Sequence, residues 1–139
     1  MADLTITATQ VLPAATGVSL DNLYAGEAID CGEVYYVKAA DGKAWLAKAL
    51  TAAEAAARGV CVGAAKAAGQ MMTGQKTGLV TLGAGAAPAV GTPYFVSDNA
   101  GKIAPLADLG AADYMTLLGW GASGNKLSLD IGASGIAHA

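Results

Sequence analysis

The sequence predicts an all-β protein, a small β-sandwich or barrel of about seven to nine short strands with one short helix near residues 52–58. Two observations support this fold class. Short segments rich in β-branched and aromatic residues recur along the 139 residues, with Gly, Asn, Asp and Pro between them. A hairpin-like unit also occurs twice, at residues 25–50 and 84–109, and the two copies align without a gap. We therefore expect residues 1–139 to form a single β domain that contains two related hairpin units.

The two units are identical at nine of their 26 aligned positions, including a Gly-x-x-Tyr-x-Val pattern that is followed by Gly-Lys. In the first unit, residues 34–38 are typical of an outgoing strand and residues 43–46 of a returning one. Asp41-Gly42 lies between them, and glycine readily takes the positive φ that a type I′ turn needs. In the second unit the corresponding strands are residues 93–97 and 102–104.

A short helix is expected directly after the first unit. Thr51 and Glu54 have the spacing of a capping box, and Gly59 suits the C-terminal end of the helix. The second unit is followed only by a turn at residues 110–113. The remaining strands are predicted at residues 4–12, 60–64, 78–82, 114–120 and 127–131.

Strand alternation sorts the side chains of both hairpins into two faces. The residues that are identical in the two units form one face, which we assign to the core: Tyr35 and Val37 in the first, and Tyr94 and Val96 in the second. Tyr36 and Phe95 then point the other way, where a solvated face would carry polar residues. We therefore predict that Tyr36 or Phe95 lies in or beside a subunit contact, with packing in the core of the same chain as the alternative. Trp45 and Trp120 are assigned to the core.

Composition excludes some classes of partner. The chain is 14% charged with a net charge of −3, and it has no cluster of Lys and Arg, so nucleic acid is not expected as a partner. Residues 4–20 and 77–97 are uncharged, but both contain Pro and Gly and neither is continuously apolar, so no membrane partner is expected. Nearly a quarter of the residues are alanine and 19 are glycine, which leaves few large side chains for a core. Association with identical copies or with a larger partner would supply the missing burial.

No set of residues in the sequence forms a recognisable active site. Residues 119–124 satisfy G-x-G-x-x-G, but an alternating strand follows instead of the helix that a dinucleotide fold needs, so a hairpin turn is expected. The single histidine, His138, is next to the last residue. Cys31 and Cys61 are too few for a disulfide framework, and we expect both thiols to be unpaired.

The acidic residues do not alter this conclusion. Glu27, Asp30 and Glu33 are spaced like possible calcium ligands but lack the glycine-bearing loop of an EF-hand, so solvated turn carboxylates are expected. Asp108 and Asp113 flank a turn and could form an acid–base pair, but no other chemical group converges on them. We predict no catalytic residue, no cofactor, no metal site and no enzyme activity.

Several segments together resemble one protein family. They are MADLTITA at the start, VYYV at 34–37 with ADGKAWLA at 40–47, GKIAPLADL at 101–109, and the run from DYMTLLG at 113–119 through LSLDI at 127–131 to ASG at 133–135. Over almost its whole length the chain is similar to the small head decoration, or capsid cement, proteins of tailed bacteriophages. The Ala-rich residues 52–57 and Trp120 depart from that pattern.

The resemblance implies a β-rich, non-enzymatic structural protein on the outer surface of the virion capsid, made in the host cytoplasm. Such a protein would bridge and stabilise neighbouring major capsid subunits. It would commonly be a homotrimer at three-fold or quasi-three-fold positions. The alternative is a virion-surface binding module, either a spike or a carbohydrate-binding β domain, in which exposed aromatic residues would stack on sugars.

Overall fold

The computed structural model describes residues 3–137 and confirms the predicted fold class. With 46% of the residues in strands and 7% helical, the chain is a curled antiparallel sheet, a half-barrel, with one short α-helix. The sheet contains ten strands, one more than the upper end of the expected range. They are β1 (Leu12–Pro13), β2 (Ser19–Tyr24), β3 (Val34–Val37), β4 (Ala44–Leu46), β5 (Gly59–Gly63), β6 (Met71–Thr81), β7 (Pro93–Val96), β8 (Ile103–Pro105), β9 (Tyr114–Ala122) and β10 (Lys126–Ala137). The helix α1 is Ala52–Ala55, and two 3-10 turns cover Ala8–Gln10 and Leu106–Asp108.

The sheet places the two hairpin units at its two ends. Its strand order is β4-β3-β5-β6-β10-β9-β7-β8, and β1 and β2 pair with β6 outside this path. The first unit supplies β3 and β4, and the second supplies β7 and β8. The eleven-residue β6 joins the halves, since its beginning pairs with β5 and β2 and its end pairs with β10 and β1. The repeated hairpin is therefore used twice to finish one continuous sheet.

The turns of the two hairpins follow the prediction in part. Gly42 and Gly101 have φ values of +68° and +75°, in the left-handed region that glycine tolerates. In the first hairpin, however, the Lys38 N–H donates to the carbonyl oxygen of Lys43 at 3.0 Å, so four residues and not two form the loop. The predicted type I′ turn is therefore wrong, although the position of its glycine is correct.

The helix begins as predicted and ends early. The Thr51 hydroxyl oxygen accepts a hydrogen bond from the Glu54 N–H at 3.2 Å, which is the expected N-cap contact. The last helical residue is Ala55, and Gly59 begins β5 and does not cap the helix. Gly59 is required there because a Cβ on it would press against the carbonyl group of Gln75 and the Tyr35 hydroxyl.

Four strand predictions differ from the structure. The strand predicted at residues 78–82 begins already at Met71, and the one predicted at 127–131 continues to Ala137. Residues 4–12 are predicted to be a strand, but only Leu12 lies in one. The Leu4 N–H donates to the Ile103 oxygen at 2.8 Å, and a 3-10 turn at Ala8–Gln10 follows. Leu4 and Ile6 pack against the main core, so their side chains rather than a hydrogen-bond ladder hold the segment. The strand β2 was missed, because Asp21 and Asn22 at its centre are residues that disfavour strands.

The curled sheet encloses a main hydrophobic core, and a smaller cluster covers the other face of β3 and β5. The main core consists of buried residues from most of the strands: Val11, Val34, Tyr36, Ala47, Val60, Val80, Leu82, Ala86, Tyr94, Val96, Ile103, Leu118, Leu127 and Leu129. The second cluster consists of Ala25, Ile29, Tyr35, Ala44, Cys61, Ala65 and Met72. β3 is thus buried on both faces.

This double burial corrects the predicted matching of the two hairpins. Tyr36, and not Tyr35, packs in the main core together with Tyr94, while Tyr35 lies in the second cluster. A strand that is buried on both faces has a continuous apolar run instead of alternation. Although Tyr35 aligns with Tyr94, this identity does not show which face of β3 packs against the main core.

The reason for placing Tyr36 and Phe95 in a subunit contact was also wrong. Within one chain their exposed fractions are only 6% and 8%, so neither side chain presents a large uncovered surface. Phe95 does lie on the opposite side of β7 from Tyr94, as alternation requires, but it is buried there. Whether either residue contributes to a subunit contact stays a prediction.

The two tryptophans differ from each other. Trp45 is half-buried and packs against the main core, as predicted. Trp120 is 44% exposed, so its assignment to the core is wrong. Gly119 and Gly121, on either side of it, lie opposite the core residues Leu129 and Leu127, and alternation turns Trp120 outward. Backbone atoms approach both glycines so closely that no larger residue fits the inward positions.

Candidate functional site: an exposed apolar face of the sheet

The structure places an apolar row on the outer side of the sheet, across β9, β10 and β6. Trp120 lies opposite Ser128, and Ser128 lies opposite Leu79. Cross-strand partners point to the same face of a sheet. Their neighbours along the strands, including Leu127 and Val80, belong to the main core. The row therefore faces away from the core.

Two further residues extend this row. Pro93 on β7 lies opposite Trp120, and Leu12 on β1 lies opposite Thr81, two residues beyond Leu79. Leu12 is 60% exposed and Leu79 is 38% exposed. We name this surface the outer apolar face and define it by its four apolar residues, Leu12, Leu79, Pro93 and Trp120. Exposed apolar residues that share one face of a sheet in this way are typical of a protein contact site.

Polar residues border the outer apolar face along β10. Lys126 and Asp130 lie two residues on either side of Ser128, so alternation places all three on the same face. One cation and one anion thus flank the centre of the row, while the centre itself is uncharged. Charged residues are depleted from the centre of protein–protein contacts and occur at their rim, and this arrangement agrees with that composition.

Sequence reasoning missed this face because it treated Trp120 as core. A signal was nevertheless available in β10, where Lys126, Ser128 and Asp130 alternate with Leu127 and Leu129. That alternation marks an exposed face. It could not be extended to Trp120 without the register between β9 and β10, which places Trp120 beside Ser128.

The three carboxylates with calcium-like spacing bind backbone amides of their own chain. Glu27 accepts from the Leu46 N–H at 3.0 Å, and Glu33 accepts from the Asp30 N–H at 2.7 Å. Asp30 accepts from the Cys31 N–H at 2.9 Å. Each carboxylate therefore stabilises a turn or an edge of the sheet. Within residues 3–137, no three His, Cys, Asp or Glu side chains are grouped as metal ligands would be.

The other residues considered as candidates for chemistry, where the structure describes them, lie in or beside turns. Asp113 is buried and accepts from the Gly110 N–H at 2.8 Å, which closes the expected turn. Asp108 is half-buried at the end of the second 3-10 turn. The G-x-G-x-x-G segment, residues 119–124, covers the end of β9 and the first part of the hairpin turn that leads to β10, so a hairpin and not a helix follows, as predicted. His138 lies outside the described residues.

A depression of about 490 Å³ lies between residues 3–6 and the turn of the second hairpin. The Asp3 carboxylate on its wall accepts from the Ser97 hydroxyl at 2.7 Å and from the Asn99 side-chain amide at 2.8 Å. These contacts attach the N-terminal segment to the second hairpin. Asp3 therefore has a structural role in this depression.

Trp45 is engaged by groups of its own chain. Its indole N–H donates to the Asp41 carboxylate at 3.1 Å, and the Lys38 ammonium lies 3.7 Å from the ring centroid. The Gly26 backbone is also so close to the ring that a Cβ there would overlap it. Sugar stacking needs an open ring face, so these contacts favour a structural role for Trp45.

An ion-pair cluster joins β2 to the segment that enters β5. Asp21 contacts the Arg58 Nε at 2.6 Å and the Lys76 Nζ at 3.4 Å, and its side chain is only 13% exposed. Burial by itself would raise the pKa of Asp21, but the hydrogen bonds and charges of Arg58 and Lys76 outweigh it. The pKa of this carboxyl is therefore below its ordinary value of 3.8.

This depressed pKa predicts a loss of stability in acid. A carboxyl with a lower pKa in the folded chain than in the unfolded chain stabilises the fold above its unfolded value of 3.8. The stabilisation is lost as the pH falls through the lower, folded value. Thermal melts from pH 6 to pH 2 should therefore show a smaller loss of Tm for Asp21→Asn than for the wild type. Asp130→Asn, at an exposed position on β10, should keep the wild-type slope. Equal slopes for all three proteins would contradict the assignment.

None of the helices within residues 3–137 is long and apolar enough to span a membrane. No protein-family model, no curated protein and no solved structure matches this chain.

Proposed function

We propose that the protein is a non-enzymatic decoration protein on the outer surface of a phage head, where it bridges and stabilises neighbouring major capsid subunits. The outer apolar face carries this proposal, because it presents Trp120 and Leu12 to solvent on a continuous sheet. Burial of such side chains against a partner releases water and supplies most of the binding free energy. The resemblance of several sequence segments to capsid cement proteins supports the choice of the capsid as the proposed partner.

The partner is proposed to be protein because the face has an uncharged centre. Trp and Leu at the centre with Lys126 and Asp130 at the rim suit the mixed surface of a folded protein. A net charge of −3 disfavours the phosphate backbone of nucleic acid. The protein is proposed to act as a homotrimer, which would present three copies of the outer apolar face and raise its avidity for a symmetric shell.

We expect Trp120→Ala to weaken binding to the shell about 30-fold, which corresponds to the ~2 kcal/mol typical of a central aromatic contact. Binding is measured by co-sedimentation with shells assembled from the major capsid protein of the same genome. Tyr24→Ala is the matched control, since Tyr24 is 58% exposed but lies on β2, opposite Met71 at the far end of β6 from Leu79. It should bind like the wild type.

Two results would contradict the proposal. One is a wild-type protein that stays in the supernatant at saturating concentration. The other is equal binding by Trp120→Ala and the wild type, which would exclude the outer apolar face as the contact. Shells without the protein should assemble but rupture at a lower temperature, so shells of equal thermal resistance would exclude a cement role. Light scattering of the protein alone tests the trimer.

A further inference from the structure

The two cysteines, 30 positions apart in the sequence, come together where the chain enters β3. Asp30 to Glu33 form a β-turn closed by a hydrogen bond from the Glu33 N–H to the Asp30 oxygen at 3.1 Å. Gly32 is the third residue of this turn and has a φ of +90°, which is the conformation that a type II turn requires there. Cys31 is the second residue, beside Gly32.

The turn is held on β5 through Cys61. The Gly32 N–H donates to the Cys61 oxygen at 2.8 Å, and the Cys61 N–H donates to the Glu33 oxygen at 2.8 Å. Two residues of one strand thus oppose a single residue of the other, with a left-handed glycine first, which is a G1 bulge. Because the Gly32 nitrogen is bonded to Cys31, the Cα atoms of Cys31 and Cys61 lie within roughly 8 Å of each other. Disulfides join Cα atoms about 4.4–6.8 Å apart.

The two thiols differ in their access to solvent. Cys61 is completely buried, and its thiol contacts the Gly63 carbonyl oxygen at 3.3 Å. Cys31 is half-buried and lines an open cavity of about 220 Å³ together with Leu4 and Ile6. Burial, and next the nearby Cys31 side chain, raise the pKa of the Cys61 thiol to about 12. A small oxidant can therefore reach the Cys31 thiol first, whereas the Cys61 thiol is buried and stays protonated.

We propose that Cys31 and Cys61 are a modification site, a thiol pair that closes to a disulfide when the folded protein meets a peroxide. The Cys31 sulfur attacks a peroxide oxygen, the O–O bond breaks, and a sulfenic acid and one water molecule form. The Cys61 sulfur then attacks the Cys31 sulfur, the S–S bond forms, and the oxygen leaves as a second water molecule. Two electrons pass from the sulfurs to the peroxide, and both thiol hydrogens end in water.

The bond would enclose the whole first hairpin and α1, since these elements lie between the two cysteines. A cross-link of this span restricts the unfolded chain and so stabilises the folded one. The reduced protein, with two unpaired thiols, is the form that the structure describes. Oxidation would then convert it to a more stable form. This inference rests on the chain alone and does not depend on the proposed function.

The test is to treat the folded, reduced protein with hydrogen peroxide and measure its intact mass and its thiols. We expect a loss of two hydrogens, no alkylation after denaturation, and a Tm higher by about 10 °C that dithiothreitol reverses. Cys61→Ala should retain a sulfenic acid on Cys31, trapped by dimedone, and Cys31→Ser should react slowly at its buried thiol. Peroxide treatment in denaturant should form the intramolecular bond more slowly than in the native protein.

Two alkylated cysteines after peroxide treatment would overturn the proposal. So would a product joined between chains, or oxygen added to Cys31 while the Cys61 thiol remains. An unchanged Tm with the mass deficit present would refute the stabilising effect. The two single-cysteine variants report on different sulfurs, so these outcomes can be distinguished even if one variant folds poorly.

Discussion

Replacing Gly74 by alanine is expected to destabilise the fold by about 3 kcal/mol or more, because β6 has no room for a side chain at this position. Gly74 lies opposite Cys61, and the ring of Tyr35 lies directly against it, so a Cβ would overlap ring atoms. Tyr35 is completely buried, and Gly59 on the adjacent strand lies close to its hydroxyl group. The Tyr35 side chain therefore has a glycine against its ring and another at its hydroxyl, and it cannot move aside without disturbing the second cluster.

Urea unfolding of Gly74→Ala measures this loss, and Gly132→Ala is its matched control. Gly132 is also in a strand, but a Cβ there meets nothing within 4 Å and its φ is not positive. Its stability should change by less than about 0.5 kcal/mol. If the clash is with Tyr35, then Tyr35→Leu combined with Gly74→Ala should cost less than the sum of the two single changes. Wild-type stability of Gly74→Ala, or strict additivity, would contradict this packing.

Tyr36→Ala is expected to lower the free energy of unfolding by about 3–5 kcal/mol, the usual loss for a large aromatic removed from a core. Tyr36 is 6% exposed and packs in the main core, while its cross-strand partner Trp45 packs at the border of that core. Removal of the ring leaves a cavity that the two-sided packing of β3 cannot close. Urea unfolding followed by tryptophan fluorescence measures the loss.

The comparison with Tyr24→Ala separates packing within the chain from a subunit contact. Tyr24 is 58% exposed, and its removal should change stability by less than about 0.5 kcal/mol. The loss for Tyr36→Ala should be the same at low and high protein concentration, since it arises within one chain. A folded Tyr36→Ala monomer of wild-type stability that no longer self-associates would instead support the subunit contact and contradict the core assignment.

Much of the fold could be predicted from the sequence because it depends on local chemistry. Glycine at positions 42 and 101 permits the left-handed turns, so both hairpins are recognisable from their sequence. Thr51 supplies the N-cap oxygen of α1 within three residues of its donor. The alternation in β10 likewise marks one buried and one exposed face. Each of these features involves residues close together in the sequence.

The candidate site, in contrast, depends on contacts between distant segments. The sequence analysis predicts Trp120 in the core, whereas the close approach of backbone to Gly119 and Gly121 turns it outward. Alternation predicts Tyr36 in or beside a subunit contact, whereas both faces of β3 are buried within one chain. In both cases the outcome depends on which strands become neighbours and which register they adopt.

The sequence by itself determined the all-β class, the two hairpins and the start of the helix, because turns, caps and alternation act over a few residues. Only the tertiary structure decided three further properties. It placed the hairpins at opposite ends of one sheet, exposed Trp120 beside Ser128 and Leu79, and brought Cys31 next to Cys61. The physical reason is that strand pairing is long-range. A bulge or a one-residue shift in register moves side chains to the other face without any change in the local sequence pattern.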